Sequence, residues 1–308
     1  MEKQQRTSGD FWKEQMLVGN YEAAWEFSDR ILQERKGKAC WHLPRHQQFI
    51  WNGNSLENKV VLVRCYHGLG DTIQFIRYAP LLKKIAKRVI VWAQQPLMEL
   101  LETVDGIDVL IPLHDGSPEV EYNADIEVME LPHYFRSTPD TIPASIPYIH
   151  TEPLMQRCDK QLFNVGITWK VSEWEQHRSI PFNYIKPLFN LPGIKMHVLQ
   201  DNPAAAGWWQ EFGEYTGPHS LPDFARIVKS LDLLITVDSM PAHLAGAQGV
   251  PVWVMLRQNV DWRWMANRND SPWYPTARLF RQQEEGNWDP VIAKVREHLL
   301  TVISTRAR

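Results

Sequence analysis

The chain has 308 residues, a formal net charge of −3, 44% hydrophobic and 22% charged residues. That length is long for one hydrophobic core and comfortable for two. The charge gives no global attraction for nucleic acid, and no uncharged apolar run approaches the ~20 residues of a membrane span. The opening MEKQQRTSGDFWKEQ lacks the apolar core of a signal peptide. Cys40, Cys65 and Cys158 lie far apart and form no CxxC, which argues against a sequence-local zinc or redox motif and suits a reducing cytoplasm.

Residues 8–36 read as two helices turned at Gly19–Asn20, with Tyr21, Ala24, Trp25, Ile31 and Leu32 as an apolar stripe. MLVGNYEAAWEFSDRIL resembles the middle of one tetratricopeptide repeat. A lone repeat cannot bury its own face, so the hairpin is expected to dock on the main body or on another subunit. An N-terminal hairpin with no recognition role is the plainer reading. Residues 37–58 hold turn formers without a clear period and read as a connector.

From residue 59 short β runs alternate with helices, the mark of a parallel α/β sheet. The pattern predicts strands at Lys59–Arg64, Arg88–Trp92, Val109–Ile111 and Ile126–Met129. Helices are predicted at Asp71–Ala86, kinked at Pro80, and near Pro96–Val104. VVLVRCYHGLGDTIQFIRYAP is a strand, a turn at Gly68–Leu69–Gly70, then a helix whose apolar spacing starts at Ile73. Such a turn gathers backbone N–H groups at one point and sets the Asp71 carboxylate beside it. Asp71 is equally at home as an ordinary helix N-cap.

Residues 151–162 are the expected hinge. A second series follows, with strands at Val165–Trp169, Met196–Leu199, Leu233–Val237 and Val252–Met255. Its helices are expected at Phe182–Phe189, Ala204–Phe212, Pro222–Ser230 and Pro241–Gln248. A final helix is expected at Asp289–Ile303, which could return to the first domain. Two α/β domains on a linker suggest a ligand cleft facing the C-terminal strand ends.

Three features of the second half bear chemistry. LLITVD ends in Asp238, and SMPAHLAGAQG follows. Pro241 suits the first turn of a helix, whose N–H groups with Ser239 suit a phosphate, while His243 lies on its first turns. Ala242, Ala245, Gly246 and Ala247 permit close packing on the sheet, so a capped, tightly packed helix explains the same residues. The loop after the strand ending at Trp169 carries Lys170, Glu173, His177 and Arg178, whose cations could neutralise a diphosphate leaving group; a solvated loop looks similar. Residues 257–281 interleave arginine with tryptophan and tyrosine in a chain of 14 tryptophans. Packing accounts for most of them, with one or two free to stack on a nucleobase or sugar.

Taken together, GLGDTIQFIRYAPLL, VGITWK with HRSIP, VDSMPAHLAGAQGVPVWVML and DWRW…DSPWYPTARLFRQ resemble the glycosyltransferase-like domain that often follows tetratricopeptide repeats in bacteria. That domain is related to the ADP-heptose:lipopolysaccharide heptosyltransferases of glycosyltransferase family nine. The resemblance runs in order from residue 40 to about 290. It implies a GT-B fold of two Rossmann-like domains, the acceptor in the first and the donor in the second. The divisions become hairpin 1–37, connector 38–58, acceptor domain 59–155, donor domain 156–290 and C-terminal helix 291–308.

The resemblance also implies inverting, metal-independent transfer from a nucleotide-diphosphate sugar, with an ADP-sugar favoured. Asp71 takes the position of the general base on the turn of Gly68 and Gly70. Lys170 and Arg178 are expected near the donor diphosphate. Ser239, Met240, Pro241, Ala242 and His243 match the phosphate-binding helix start, with Asp238 near the donor sugar or ribose. Met240 and Pro241 replace the small residues common there, which bears on the pocket's shape. The cysteines that hold iron in the autotransporter heptosyltransferases have no evident counterpart, so no metal is expected. The acceptor is a glycan, a lipid-linked core or a protein hydroxyl, and the hairpin's apolar face hints at self-association. The rival readings are a nucleotide-sugar hydrolase or epimerase on the same fold, and a scaffold protein with a decayed site.

Overall fold

The computed structural model describes residues 8–154, 162–171 and 175–306. The chain forms two compact units. The first runs to Tyr148 and takes in Asp261–Arg268; the second comprises Ile149–Val260 and the chain from Asn269 onward.

The first unit opens with a helical hairpin, α1 (Ser8–Val18) and α2 (Tyr21–Arg35). Gly19 makes the turn at φ +83, and a Cβ there would also come within 2.7 Å of the Met265 side chain. The hairpin docks on its own unit. Trp25 donates its indole N–H to the Ser137 carbonyl at 2.6 Å and stacks on His133. Asp29 pairs with His133 at 2.9 Å and with Arg136 at 2.7 Å.

Four parallel strands follow: β1 (Val60–Arg64), β2 (Arg88–Ala93), β3 (Val109–Pro112) and β4 (Ala124–Glu127), in the order β3-β2-β1-β4. The single helix expected after β1 is α3 (Leu69–Phe75), a 3₁₀ turn at Ile76–Tyr78, and α4 (Ala79–Ile85). Pro80 sits in the first turn of α4, where its missing N–H costs no helical bond, so the chain restarts rather than kinks. A short α5 (Met98–Leu101) precedes β3, and α6 (Leu131–Tyr134) follows β4. β4 starts and ends two residues earlier than the apolar run suggests. The Glu127 and Glu130 carboxylates cap a 3₁₀ turn at Val128–Glu130 and end the strand.

The second unit holds six parallel strands: β5 (Phe163–Ile167), β6 (Ile194–Val198), β7 (Glu214–Tyr215), β8 (Leu233–Val237), β9 (Val252–Leu256) and β10 (Ala277–Arg281), in the order β10-β9-β8-β5-β6-β7. Its helices are α7 (Phe182–Ile185), α8 (Leu221–Lys229), α9 (Met240–Ala247) and α10 (Asp289–Arg306).

Three expectations change here. Ala204–Phe212 is a run of turns, not a helix. Gly207 takes φ +84 and breaks the spiral, while Trp209 and Phe212 pack edge-on against Phe182. The edge strands β7 and β10 carry too weak an alternation to be read. The last helix belongs to the second unit: Val291, Ile292, Val295 and Leu299 of α10 join Val165, Ile235, Met255 and Phe280 in its core.

In each sheet one strand is flanked on either side by strands reached in opposite directions. These are β1 between β2 and β4, and β5 between β6 and β8. The carboxyl ends of such strands frame a crevice, the usual place for a ligand on an open parallel sheet.

Candidate active site

In the first unit, the ends of β1 and β4 are level, with Arg64 paired to Glu127. The turn that follows β1 sets His67, Gly68, Gly70 and Asp71 at that point. Asp71 is not an N-cap: it is the third residue of α3, and its Oδ2 accepts the Gly68 N–H at 2.9 Å. Its Oδ1 is held by the Arg263 guanidinium, which also pairs with Asp261 at 2.9 Å. Arg263 is separated from Asp71 by 192 residues of sequence. Its segment is fixed by Trp262, whose ring meets those of Trp12, Tyr21 and Phe75 at centroid distances of 5.3, 6.5 and 6.1 Å. The hairpin thus braces the segment that holds the carboxylate.

Sequence reasoning singled out neither Arg263 nor the pair beside it. His67 Nδ1 lies 3.0 Å from Glu127 Oε1. Glu127 is 3% exposed at its side chain and also accepts the N–H of Tyr66 at 3.3 Å and of Met129 at 2.6 Å. Burial works against charging His67, but the hydrogen bond and charge of Glu127, with the charge of Asp71, outweigh it and hold the imidazole above its ordinary value. The His67 carbonyl takes the Gln94 side-chain N–H at 2.7 Å, and Gln94 in turn accepts from Thr72 at 3.0 Å, so the turn is stiff. Glu130 lies behind Glu127. Burial above all, with the neighbouring Glu127 charge, pushes Glu130 up to about 7 against the bonds it accepts from the N–H groups of Glu127 and Trp51. Burial likewise drives the Cys65 thiol up, so it is no thiolate nucleophile at neutral pH.

In the second unit, Lys170 follows β5, and its backbone N–H donates to Gln200 Oε1 at 2.9 Å. Its ammonium reaches the Ala205 carbonyl at 3.4 Å. Arg178 pairs with Glu175 and, at 3.2 Å, with Asp238, the residue that follows β8. The structure therefore brings Arg178 and Asp238 together. Glu173 lies outside the described residues, as do Cys158 and most of the expected hinge.

Ser239 occupies the N-cap position of α9 but makes no cap bond; its hydroxyl donates to the Val237 carbonyl at 3.1 Å. Met240 and Pro241 open the helix and are partly accessible, whereas Ala242 is fully buried. Gly246 permits close packing, since a Cβ there would lie 2.3 Å from the Tyr274 ring. His243 is buried at 5% exposure, with Nδ1 3.0 Å from the Tyr274 hydroxyl, so it braces the helix from within rather than facing outward. Among the described residues no group of His, Cys, Asp and Glu has the arrangement of a metal site.

No protein-family model matches the chain. It is 23% identical over 333 residues to the protein FlbA of Caulobacter vibrioides, a match covering 91% of this chain and 52% of FlbA, so it spans about half the length of that relative. Among solved structures it resembles a glycosyl transferase family 9 protein from Veillonella parvula, with a TM-score of 0.58, 14% identity, and coverage of 82% of this chain and 98% of that one. It likewise resembles the ADP-heptose lipopolysaccharide heptosyltransferase II of E. coli, with a TM-score of 0.56, 12% identity, and coverage of 81% and 100%. With two Rossmann-like units, each built on a parallel sheet, the chain has the GT-B fold of the family 9 glycosyltransferases.

Proposed function

We propose that the chain is an inverting, metal-independent glycosyltransferase. It moves a sugar, heptose in the first instance, from a nucleotide-diphosphate donor to a hydroxyl acceptor. The observation that carries this reading is the division of chemistry between the two switch points. A carboxylate, Asp71, stands at the first, and cations, Lys170 and Arg178, stand at the second with the start of α9.

An inverting transfer needs a base on the acceptor hydroxyl and stabilisation of the departing diphosphate. Asp71 is the general base. Lys170, Arg178, and the N–H groups and hydroxyl at Ser239–Ala242 take up the charge of the leaving group. Asp238 orients Arg178 through their ion pair. Two cations and a helix start can replace a metal in this role, and the sequence has no DxD triad at a strand end to hold one. The ADP-heptose in the name of the E. coli neighbour supports an ADP-sugar donor. The acceptor is a glycan, a lipid-linked core or a protein hydroxyl, and the reducing compartment suggested by the cysteines fits a cytoplasmic reaction.

The test begins with melting temperatures in ADP, GDP, UDP and dTDP and their sugar conjugates, ADP-heptose included. A ligand that binds the folded state alone raises the melting temperature, and the expected result is a selective rise with one nucleotide. Asp71→Ala should then keep that rise while transfer falls at least ~100-fold, the lower end of general-base contributions. Full transfer by Asp71→Ala removes Asp71 as the base. Turnover of the donor at full rate without acceptor favours a hydrolase or epimerase, and no nucleotide affinity favours a scaffold.

A further inference from the structure

We propose that Arg263 is the positioning residue of the base: its guanidinium, anchored on Asp261, fixes the direction in which the Asp71 carboxylate meets the acceptor hydroxyl. The inference rests on the reading of Asp71 as the general base of a glycosyltransferase.

The contacts show which partner of this ion pair is fixed by its surroundings. The Arg263 side chain is 11% exposed and is held from its own segment. Asp261 Oδ1 accepts the Arg263 backbone N–H at 3.0 Å and the Nη1 N–H at 2.9 Å. The guanidinium carbon lies 5.0 Å from the ring centroid of Trp262 and 5.5 Å from that of Phe75, two rings that stack with centroids 6.1 Å apart. These contacts place the guanidinium without help from Asp71. Its other arm, Nη2, donates to Asp71 Oδ1. One planar fork thus spans two carboxylates, a geometry that arginine supplies and lysine does not.

Asp71 is the more accessible partner, 24% exposed at its side chain. The terminal torsion of a carboxylate is broad, so its plane is set by what its oxygens bond. Here Oδ1 takes Arg263 and Oδ2 takes the Gly68 N–H at 2.9 Å, one partner on each oxygen. Each oxygen has a second lone pair to meet a hydroxyl proton. The clamp therefore orients the base without using it up.

Asp261 matters at the next moment. When Asp71 takes up the acceptor proton it loses its charge, and a guanidinium paired with Asp71 alone would become a buried, unpaired cation. The bond to Asp261 keeps the guanidinium compensated and in place in both protonation states of the base. The effect is one of orientation, which appears in turnover and not in donor binding.

The experiment measures kcat and KM of transfer for the full chain, Arg263→Ala, Arg263→Lys and Asp71→Ala, using the donor picked out by thermal shift. A cooperative urea transition of wild-type slope shows that a variant is folded. Arg263→Ala should lose ~10–100-fold in kcat, the scale of a misplaced catalytic group, with the KM for donor unchanged. Guanidinium at millimolar concentration, far below the denaturing range, should restore part of that rate and none of the rate lost in Asp71→Ala. Arg263→Lys keeps the charge but cannot bridge both carboxylates, so it should stay ~10-fold slow. Wild-type kcat in Arg263→Lys or in a folded Arg263→Ala overturns the inference. So does a slow, folded Arg263→Ala that gains nothing from guanidinium, or one whose loss lies in the KM for donor. If Arg263→Ala shows no cooperative transition, the kcat of Arg263→Lys decides. Each overturning result, with Asp71→Ala inactive, leaves the glycosyltransferase reading standing; a fully active Asp71→Ala or a wild-type chain without transfer removes that reading instead.

Discussion

At the scale of single residues, the first unit gathers unlike ionisable groups within a few side chains of one another. Asp71 is paired with a guanidinium, His67 with a buried carboxylate, and Glu130 is starved of water beside a second acid. Their surroundings raise both His67 and Glu130 above their ordinary values, a perturbation typical of acid–base sites. Glu130 offers a direct check. Its folded-state value of about 7 lies above the ordinary 4.5, so between those limits the folded chain binds more protons than the unfolded one. Stability should therefore fall as pH rises through that window. Glu130→Gln keeps the carbonyl oxygen that the Trp51 and Glu127 N–H groups need, each at 3.0 Å, and removes the titration. Urea unfolding should show the variant level with wild type near pH 5 and more stable at pH 8; equal stability at both values would contradict the assignment.

At the scale of elements, the hairpin acts as a brace. Trp262 is packed among Trp12, Tyr21 and Phe75, and the Arg263 guanidinium lies 5.0 Å from the Trp262 ring centroid and 5.5 Å from that of Phe75. The backbone adds a bond from the Ala266 N–H to the Leu17 carbonyl at 2.8 Å. The partly exposed Trp262 is worth less than a fully buried tryptophan, so Trp262→Ala should cost ~2 kcal/mol of stability. Because the same contact sets Arg263, transfer should fall too, while nucleotide affinity, which the proposed function assigns to the second unit, stays. A lower urea midpoint with unchanged slope and an unchanged ADP-induced shift would confirm this. Loss of nucleotide affinity would show that the brace serves something else.

At the scale of the whole molecule, each unit has its own sheet and its own switch point. Hydrogen exchange can tell them apart. Saturating nucleotide should slow exchange of the amides at 238–246 and 200–206 and leave those at 67–75 unchanged at first order. Protection confined to 67–75 would reverse the assignment of donor and acceptor sides. The match to this chain covers 52% of FlbA.

Local pattern was enough for the strands of the two sheet centres, because a buried parallel strand is a short β-branched run whatever surrounds it. VVLVR and LLITV are legible without neighbours, as are the glycine turn and the hairpin. Asp71, Asp238 and Ser239 stand out as candidates in the sequence because each lies beside a strand end or a helix start. The edge strands, the broken 204–212 segment and the docking of α10 depend on what packs against them, and local spacing carries no such information. His67 and Glu127 are 60 residues apart, and Arg263 and Asp71 are 192 apart. His67, Glu127 and Arg263 are unremarkable in their own stretches of sequence. Sequence by itself therefore determined the central strands of each sheet and the glycine turn beside the first. Tertiary structure decided which charge faces which, because ion pairing depends on distance in space and the order of strands in a sheet sets that distance.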